Sequence, residues 1–367
     1  MPSILLSNFL AKNTHPIHTS LYYHGPKGYT YNEWLAGRVA CWGRTFRNVV
    51  LGQTEYDIVP ETDDDAVFSV GLLPKTKKPW MAFLEHYSVF SNNLYYPPLR
   101  RASVLRHAQH MVGQKNCSRI VAYTDIARDG IRKYLGKKYA GKIDTLHPVI
   151  PDKKIKKIKH DVPTVLFIAD HDFYGKGGKE VLRVADMVHE KYDAHFIIKC
   201  PVPKELYEQY KNKPGFTFIQ HRISDEELEE LYAKSDMYIF PLYTSSFGVY
   251  LEAKRASLPI ITTTHFDIPE IVLHEKNGLN VDNPGNFWQP DFYDRWSTRE
   301  KFIAEIKQKW QPKMVQGFYE AVVRLIEDTK LAKKLGAAGK KEVTSGRFSI
   351  NERNKVLQRY YEEMLSR

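Results

Sequence analysis

One stretch constrains the fold more than any other: residues 235–272, S-D-M-Y-I-F-P-L-Y-T-S-S-F-G-V-Y-L-E-A-K-R-A-S-L-P-I-I-T-T-T-H-F-D-I-P-E-I-V. Met237–Pro241 is a short apolar run closed by proline, the pattern of a buried strand. Thr244–Gly248 is small and flexible, and Val249–Ala256 forms helix well until Leu258-Pro259 stops it. Pro259–Thr263 is again rich in β-branched residues. A strand, a glycine-containing loop, a helix and a second strand leave backbone N–H groups unpaired at the helix start. They also aim the positive end of the helix dipole at whatever binds there, which suits an anion. Glu252 lies one turn inside that helix, within reach of a polar group bound at its start.

The rest of the chain repeats this grammar. Apolar runs at Ser3–Phe9, Ala66–Leu73, Trp80–Leu84 and Arg119–Thr124 read as strands, and Asp144–Pro148 closes this region. Helices are expected at Asn32–Val49, Ala102–Gln114 and Asp125–Leu135, with an aromatic, basic loop at Tyr95–Arg101. After the charge run Pro151–His160 come strands at Thr164–Ala169, Ala194–Lys199 and Thr217–Gln220. A helix capped by Ser224, with Glu227 completing a capping box, then leads into the opening stretch. Helices at Met314–Asp328, Thr329–Ser345 and Asn351–Ser366 close the chain after an aromatic segment, 286–312. Strands alternating with helices predict α/β architecture with parallel sheets. The expected division is an N-terminal Rossmann-like domain over 1–150, a basic linker over 151–160 and a C-terminal Rossmann-like domain over 161–345. The last helix, 346–367, is expected to pack back on the first domain.

A chain of 367 residues is long enough for two such domains, and no run of about 18 apolar residues is present. The N-terminus lacks the basic region and cleavage site of a signal peptide. Cys41, Cys117 and Cys200 are few and scattered, which suggests a reducing, cytoplasmic setting without disulfides. The net charge of +11 is uneven: residues 1–150 hold 19 Lys and Arg against 11 Asp and Glu, the remainder 35 against 32. A basic first half suits an anionic partner or an anionic membrane surface at the inner leaflet, although a solvated basic face explains it equally.

Candidate functional groups sit in the loops after strands, where open α/β sheets place their ligands. His86 ends the apolar run Trp80–Leu84. Lys176, between Gly175 and Gly177, opens a helix after Thr164–Ala169 and can reach a phosphate. The loop after the first strand carries His18, Gly25 and Lys27. His15, His18 and His24 have no carboxylate or cysteine at ligand spacing, so no metal site is expected there.

Together these motifs resemble the donor-binding domain of family 4 retaining glycosyltransferases of the GT-B fold. The family's E-x7-E pattern is represented by T-S-S-F-G-V-Y-L-E, Thr244 to Glu252, flanked by S-D-M-Y-I-F-P, L-P-I-I-T-T, I-P-E-I-V and N-G-L-N-V. F-Y-G-K-G-G resembles the family's K-G turn, I-S-D-E-E-L-E-E-L-Y the helix before the motif, and S-G-R-F-S the entry to the terminal helix. In the first half R-I-V-A-Y-T-D-I-A-R-D is similar to a strand and turn of that family. The resemblance implies two facing domains with a central cleft and transfer of a hexose-type sugar from a nucleotide-sugar donor, UDP- or GDP-linked, with retention and without a metal or other cofactor. It implies that Glu252 holds the ribose hydroxyls and that Lys176 and Gly177 meet the diphosphate. The stretch Ser246, Phe247, Gly248 and Val249 supplies backbone donors, His221 and Arg222 lie near the base, and His86 faces the sugar. Two positions depart from the family. Thr244 stands where a glutamate is usual and Asp170 where an arginine is usual, so that one phosphate-neutralising charge is either missing or supplied from elsewhere, by Arg222, Lys199 or the first domain. The resemblance leaves the acceptor unidentified among a glycan, a lipid-linked saccharide and a protein. Two other readings stay open: a catalytically silent module that binds a nucleotide sugar, and an enzyme directed at nucleic acid.

Overall fold

The computed structural model describes residues 1–8, 25–35, 56–91, 98–243, 246–283, 301, 304 and 312–367. They form two compact units, one of residues 1–151 with 347–367, the other of residues 152–346.

The first unit is built on a six-stranded sheet of order β2-β1-β4-β6-β7-β8. Its strands are β1 (Ser3–Asn8), β2 (Thr30–Leu35), β4 (Ala66–Val70), β6 (Trp80–Leu84), β7 (Cys117–Ala122) and β8 (Ile143–Thr145). Each neighbouring pair is parallel. Residues 30–35 correct the expected helix over Asn32–Val49. The aromatic and β-branched T-Y-N-E-W-L pairs residue for residue with β1 from Ser3↔Thr30 to Asn8↔Leu35, so strand propensity and pairing override the helical spacing. Residues 36–55 lie outside the described ones.

The run Ala66–Leu73 is broken at Gly71, whose φ of 92° is left-handed. Beyond it β5 (Leu73–Lys75) pairs instead with β3 (Tyr56–Ile58) in a separate two-stranded sheet. Helix α1 (Pro98–Gly113) begins earlier than expected, with proline at its first turn, where the missing N–H costs nothing and φ is preset. Helix α2 (Asp125–Leu135) is capped by Thr124, whose Oγ1 accepts from Ala127 N at 3.1 Å. Trp80, Phe68, Phe83 and Phe90 are fully buried, each ring contributing on the order of 2–3 kcal/mol of apolar burial. Helix α10 (Ile350–Leu365) belongs to this unit. Its Glu363 pairs with Arg119, whose guanidinium lies 4.4 Å from the Tyr360 ring centre, and its Tyr361 is buried against Tyr29 and Phe68.

The second unit carries a sheet of order β11-β10-β9-β12-β13-β14, again parallel throughout. Its elements are β9 (Thr164–Ile168), α3 (Gly178–His189), β10 (His195–Lys199), α4 (Lys204–Tyr210), β11 (Phe216–Ile219), α5 (Asp225–Ala233), β12 (Met237–Phe240), α6 (Gly248–Arg255), β13 (Ile260–Thr263), α7 (Ile268–Ile271) and β14 (Gly278–Val281). Helices α8 (Pro312–Glu327) and α9 (Thr329–Thr344) follow, and the aromatic segment between lies largely outside the described residues. β9, β12 and β13 are buried at every position, as a sheet covered on both faces requires. The Ser224–Glu227 capping box forms as its spacing predicts. The lysine-rich residues 152–160 lie against this unit: Ile158 N donates to Ala233 O, and Lys157 Nζ donates to the carbonyls of Tyr232 and Ser235. Among the described residues no helix is long and apolar enough to cross a membrane.

Candidate functional site

In both sheets the strand order reverses direction once, and open α/β sheets bind ligands at such switch points, beyond the C-terminal strand ends. In the second unit the chain leaves β9 toward β10 on one side and later returns to pair β12 on the other, so the switch point is the β9–β12 boundary. Two connections meet there: residues 169–177, from β9 to α3, and residues 241–247, from β12 to α6.

The first is a closed knot of hydrogen bonds. Lys176 N donates to Asp172 O at 2.9 Å, Gly177 N to Tyr174 O at 3.1 Å and Gly178 N to Phe173 O at 2.8 Å. These amides are spent within the turn, and the Lys176 side chain is half-buried. Its Nζ lies 5.9 Å from the Phe240 ring centre, at the end of β12. Gly177 has φ of 81°, and a Cβ there would come 2.1 Å from Pro241 O. The turn therefore presses directly on the chain leaving β12, and Tyr243 N donates to Gly175 O at 2.9 Å to seal the contact.

The second connection delivers α6. Ser246, Gly248 and Val249 are half-buried and Phe247 is buried; Thr244 lies outside the described residues. The first N–H groups of any helix have no acceptor within it, and the dipole favours an anion there. Glu252, one turn further on, is 4% exposed, and its Oε2 accepts from Tyr232 Oη at 2.9 Å. Burial, then the charge of Glu252, pushes the Tyr232 phenol far above its ordinary range, so it stays a donor. Tyr238 Oη donates to Ile168 O at 3.3 Å, and its pKa is raised by burial, then by Tyr250, Glu252 and Asp170. Glu252 and Asp170 thus share one electrostatic neighbourhood.

Asp170 leaves the end of β9 82% exposed, and its Oδ1 accepts from Lys199 Nζ at 2.7 Å. Lys199 is 7% exposed at the end of β10. The Asp170 carboxylate thus holds a lysine of the adjacent strand at the C-terminal strand ends. His221 and Arg222 are exposed beyond edge strand β11, two strands from the β9–β12 boundary.

Three residues near the site escaped sequence reasoning: Tyr232, Tyr243 and Glu180. Glu180, in the first turn of α3, is completely buried and accepts from Tyr243 Oη at 3.0 Å. Burial raises its carboxyl to about 7, against the opposing influence of its own backbone, Tyr243 and Lys179.

In the first unit His86 follows β6 and is 3% exposed; burial lowers its pKa, so the neutral imidazole is favoured, while Glu85 pulls the other way. Gly25 and Lys27 precede β2; Lys27 is exposed, and Pro26 O between them accepts from Tyr31 Oη at 3.0 Å. His18 lies outside the described residues. Among the described residues no three His, Cys, Asp or Glu side chains are grouped to hold a metal.

Comparison with known proteins places this geometry in context. Residues 162–289 match the family described as "Glycosyl transferases group 1". Over 163 residues the chain is 25% identical to an uncharacterized glycosyltransferase of Methanocaldococcus jannaschii, a match spanning 41% of this chain and 41% of that relative. The fold is similar to that of sucrose-phosphate synthase from Thermosynechococcus elongatus, with a TM-score of 0.66 and 14% identity over 100% of both chains. It is similar also to HepE of Anabaena solved with UDP, with a TM-score of 0.64 and 11% identity over 98% of this chain and 99% of that one. At such identities the likeness shows the fold: two parallel-sheet Rossmann-like domains in one chain, the GT-B architecture.

Proposed function

We propose that the protein is a retaining, metal-independent glycosyltransferase that takes a nucleotide-sugar donor at the switch point of its second unit. One observation carries the reading. A lysine turn and a helix start are locked side by side there, through Gly177 on Pro241 and Tyr243 N on Gly175 O, within the segment that matches the glycosyltransferase family.

When the bond from the sugar's anomeric carbon to the diphosphate breaks, negative charge grows on the leaving oxygens. Lys176 and the first N–H groups of α6 are set to receive it, and donors fixed in advance stabilise developing charge without reorganising. These cationic and dipolar groups take the place of a metal. Glu252, its orientation held by Tyr232, accepts the ribose hydroxyls in a bidentate arrangement. Lys199, pinned by Asp170, adds a second positive charge at the strand ends. In the first unit burial keeps His86 neutral, the form of imidazole that can accept a hydrogen bond from a sugar hydroxyl. The acceptor hydroxyl attacks the face that the diphosphate leaves, its oxygen bonding to the anomeric carbon while its proton passes to the departing diphosphate. The basic first unit favours an acceptor that is anionic or held at an anionic membrane surface, in the cytoplasm.

Asp170 supports a second reading, a module that binds a nucleotide sugar without turning it over, because it engages a cation that a transferase would direct at phosphate. A panel of UDP-, GDP-, ADP- and TDP-sugars separates the two. Thermal shift reports binding, since a ligand at 100 times its Kd adds about 2.7 kcal/mol of stability. Release of nucleoside diphosphate reports turnover. The transferase reading requires both for one nucleotide; binding without release selects the module, and absence of any shift removes both readings.

A further inference from the structure

Glu180 is a side chain that the donor chemistry does not use. It sits in the first turn of α3, fully buried, four residues after Lys176. Its Oε1 accepts from Tyr243 Oη at 3.0 Å, and its Oε2 has no hydrogen-bond partner among the described residues. A buried carboxyl with one oxygen unpaired is costly for packing alone, and an apolar residue would fill the place at lower cost.

Tyr243 explains its presence. This tyrosine belongs to the connection from β12 to α6 and stands immediately before Thr244. It grips the lysine turn twice: its backbone N donates to Gly175 O at 2.9 Å, and its hydroxyl reaches past the turn to Glu180 on α3. Between those two anchors lie Lys176 and Gly177, the latter pressed on Pro241 O. The two connections that face a diphosphate are therefore joined by one side chain whose far end is held by Glu180.

We infer that Glu180 is a positioning residue: through Tyr243 it holds the loop entering α6 in fixed register with the Lys176 turn, so that the lysine and the helix start meet the same diphosphate. This rests on the donor-site reading and adds to it the device that sets the spacing of its two anion-binding parts. Small misplacements of such groups are felt strongly in binding and catalysis.

The test compares nucleoside diphosphates (UDP, GDP and ADP) with the corresponding nucleosides, by calorimetry on the full chain. Tyr243→Phe removes only the hydroxyl. It is expected to weaken the bound diphosphate by about tenfold while nucleoside affinity stays within about twofold, because the loss is confined to the phosphate end. Glu180→Leu is expected to do the same, and Glu180→Gln, which keeps an acceptor for Tyr243 Oη, to recover most of that loss. Circular dichroism and Tm confirm that each variant is folded; should Glu180→Leu not fold, Tyr243→Phe and Glu180→Gln decide alone. Equal loss of nucleoside and diphosphate would reduce the pair to a packing role and overturn the inference. So would wild-type affinity in Tyr243→Phe while Lys176→Ala binds diphosphate poorly, which leaves the donor-site reading intact. Wild-type affinity in Lys176→Ala as well would remove the donor-site reading and the inference with it.

Discussion

Gly177 and Gly28 share a left-handed φ, 81° and 91°, in contrasting surroundings. Among the described residues a Cβ on Gly28 would meet nothing within 4 Å, whereas one on Gly177 would collide with Pro241 O at 2.1 Å. The first glycine shapes its own turn, in the first unit. The second lets two connections of the second unit touch at the place where the sheet changes direction. The contrast separates local backbone chemistry from long-range assembly, and single substitutions can take the two apart.

The largest effect is expected at the contact itself. Gly177→Ala should cost about 4 kcal/mol, combining left-handed strain with a backbone clash that no rotamer relieves. Calorimetric unfolding should show Tm lowered by about 10 °C, and a loss no larger than that of Gly28→Ala would erase the distinction.

Next comes Glu180, whose burial is a product of the same assembly. Its ordinary pKa of 4.5 rises to about 7 on folding. Below the lower value both folded and unfolded chains hold the proton. Between the two the folded chain keeps a proton that the unfolded chain has released, so stability falls as pH rises, and the fall ends above about 7. Glu180→Gln cancels this contribution. The stability difference between variant and wild type should shift in the variant's favour by about 3 kcal/mol from pH 4 to pH 8, measured by denaturant unfolding. A constant difference would mean that the carboxyl reaches water.

Tyr232→Phe, which removes the Tyr232 Oη donor from Glu252 Oε2, should destabilise by about 1–2 kcal/mol and weaken nucleoside affinity, read by the same titrations. Unchanged nucleoside binding would detach Glu252 from the ribose. The smallest effect belongs to Gly28→Ala, about 1 kcal/mol of strain with no steric partner among the described residues.

Much of the fold was legible because short connections leave short signatures. The glycines around Lys176, the Ser224–Glu227 box and the uninterrupted apolar runs of β9 and β12 each report a local need. Residues 30–35 misled because a six-residue strand with polar Asn32 and Glu33 has no clean alternation; only its pairing with β1 settles it. Glu180 was illegible for another reason. In G-K-G-G-K-E-V-L an acidic residue in a first helical turn reads as a solvated complement to the dipole, and nothing local announces that Tyr243, 63 positions later, closes over it. Asp170 is a further case: its ion pair with Lys199 arises because parallel pairing sets β10 beside β9, a neighbour that sequence order alone does not give.

The chain crosses between its two units twice, and the second crossing returns helix α10 to the unit that began at residue 1. Leu357, Tyr360, Tyr361 and Met364 of that helix are core residues of the first unit. During synthesis the domain that emerges first ordinarily folds first. Here the second unit is contiguous, whereas the core of the first unit is incomplete until residues 350–365 have been made. Chaperone demand in the nascent chain should therefore concentrate on the N-terminal half, and a premature stop before residue 347 would leave a finished second unit tethered to an unfinished first.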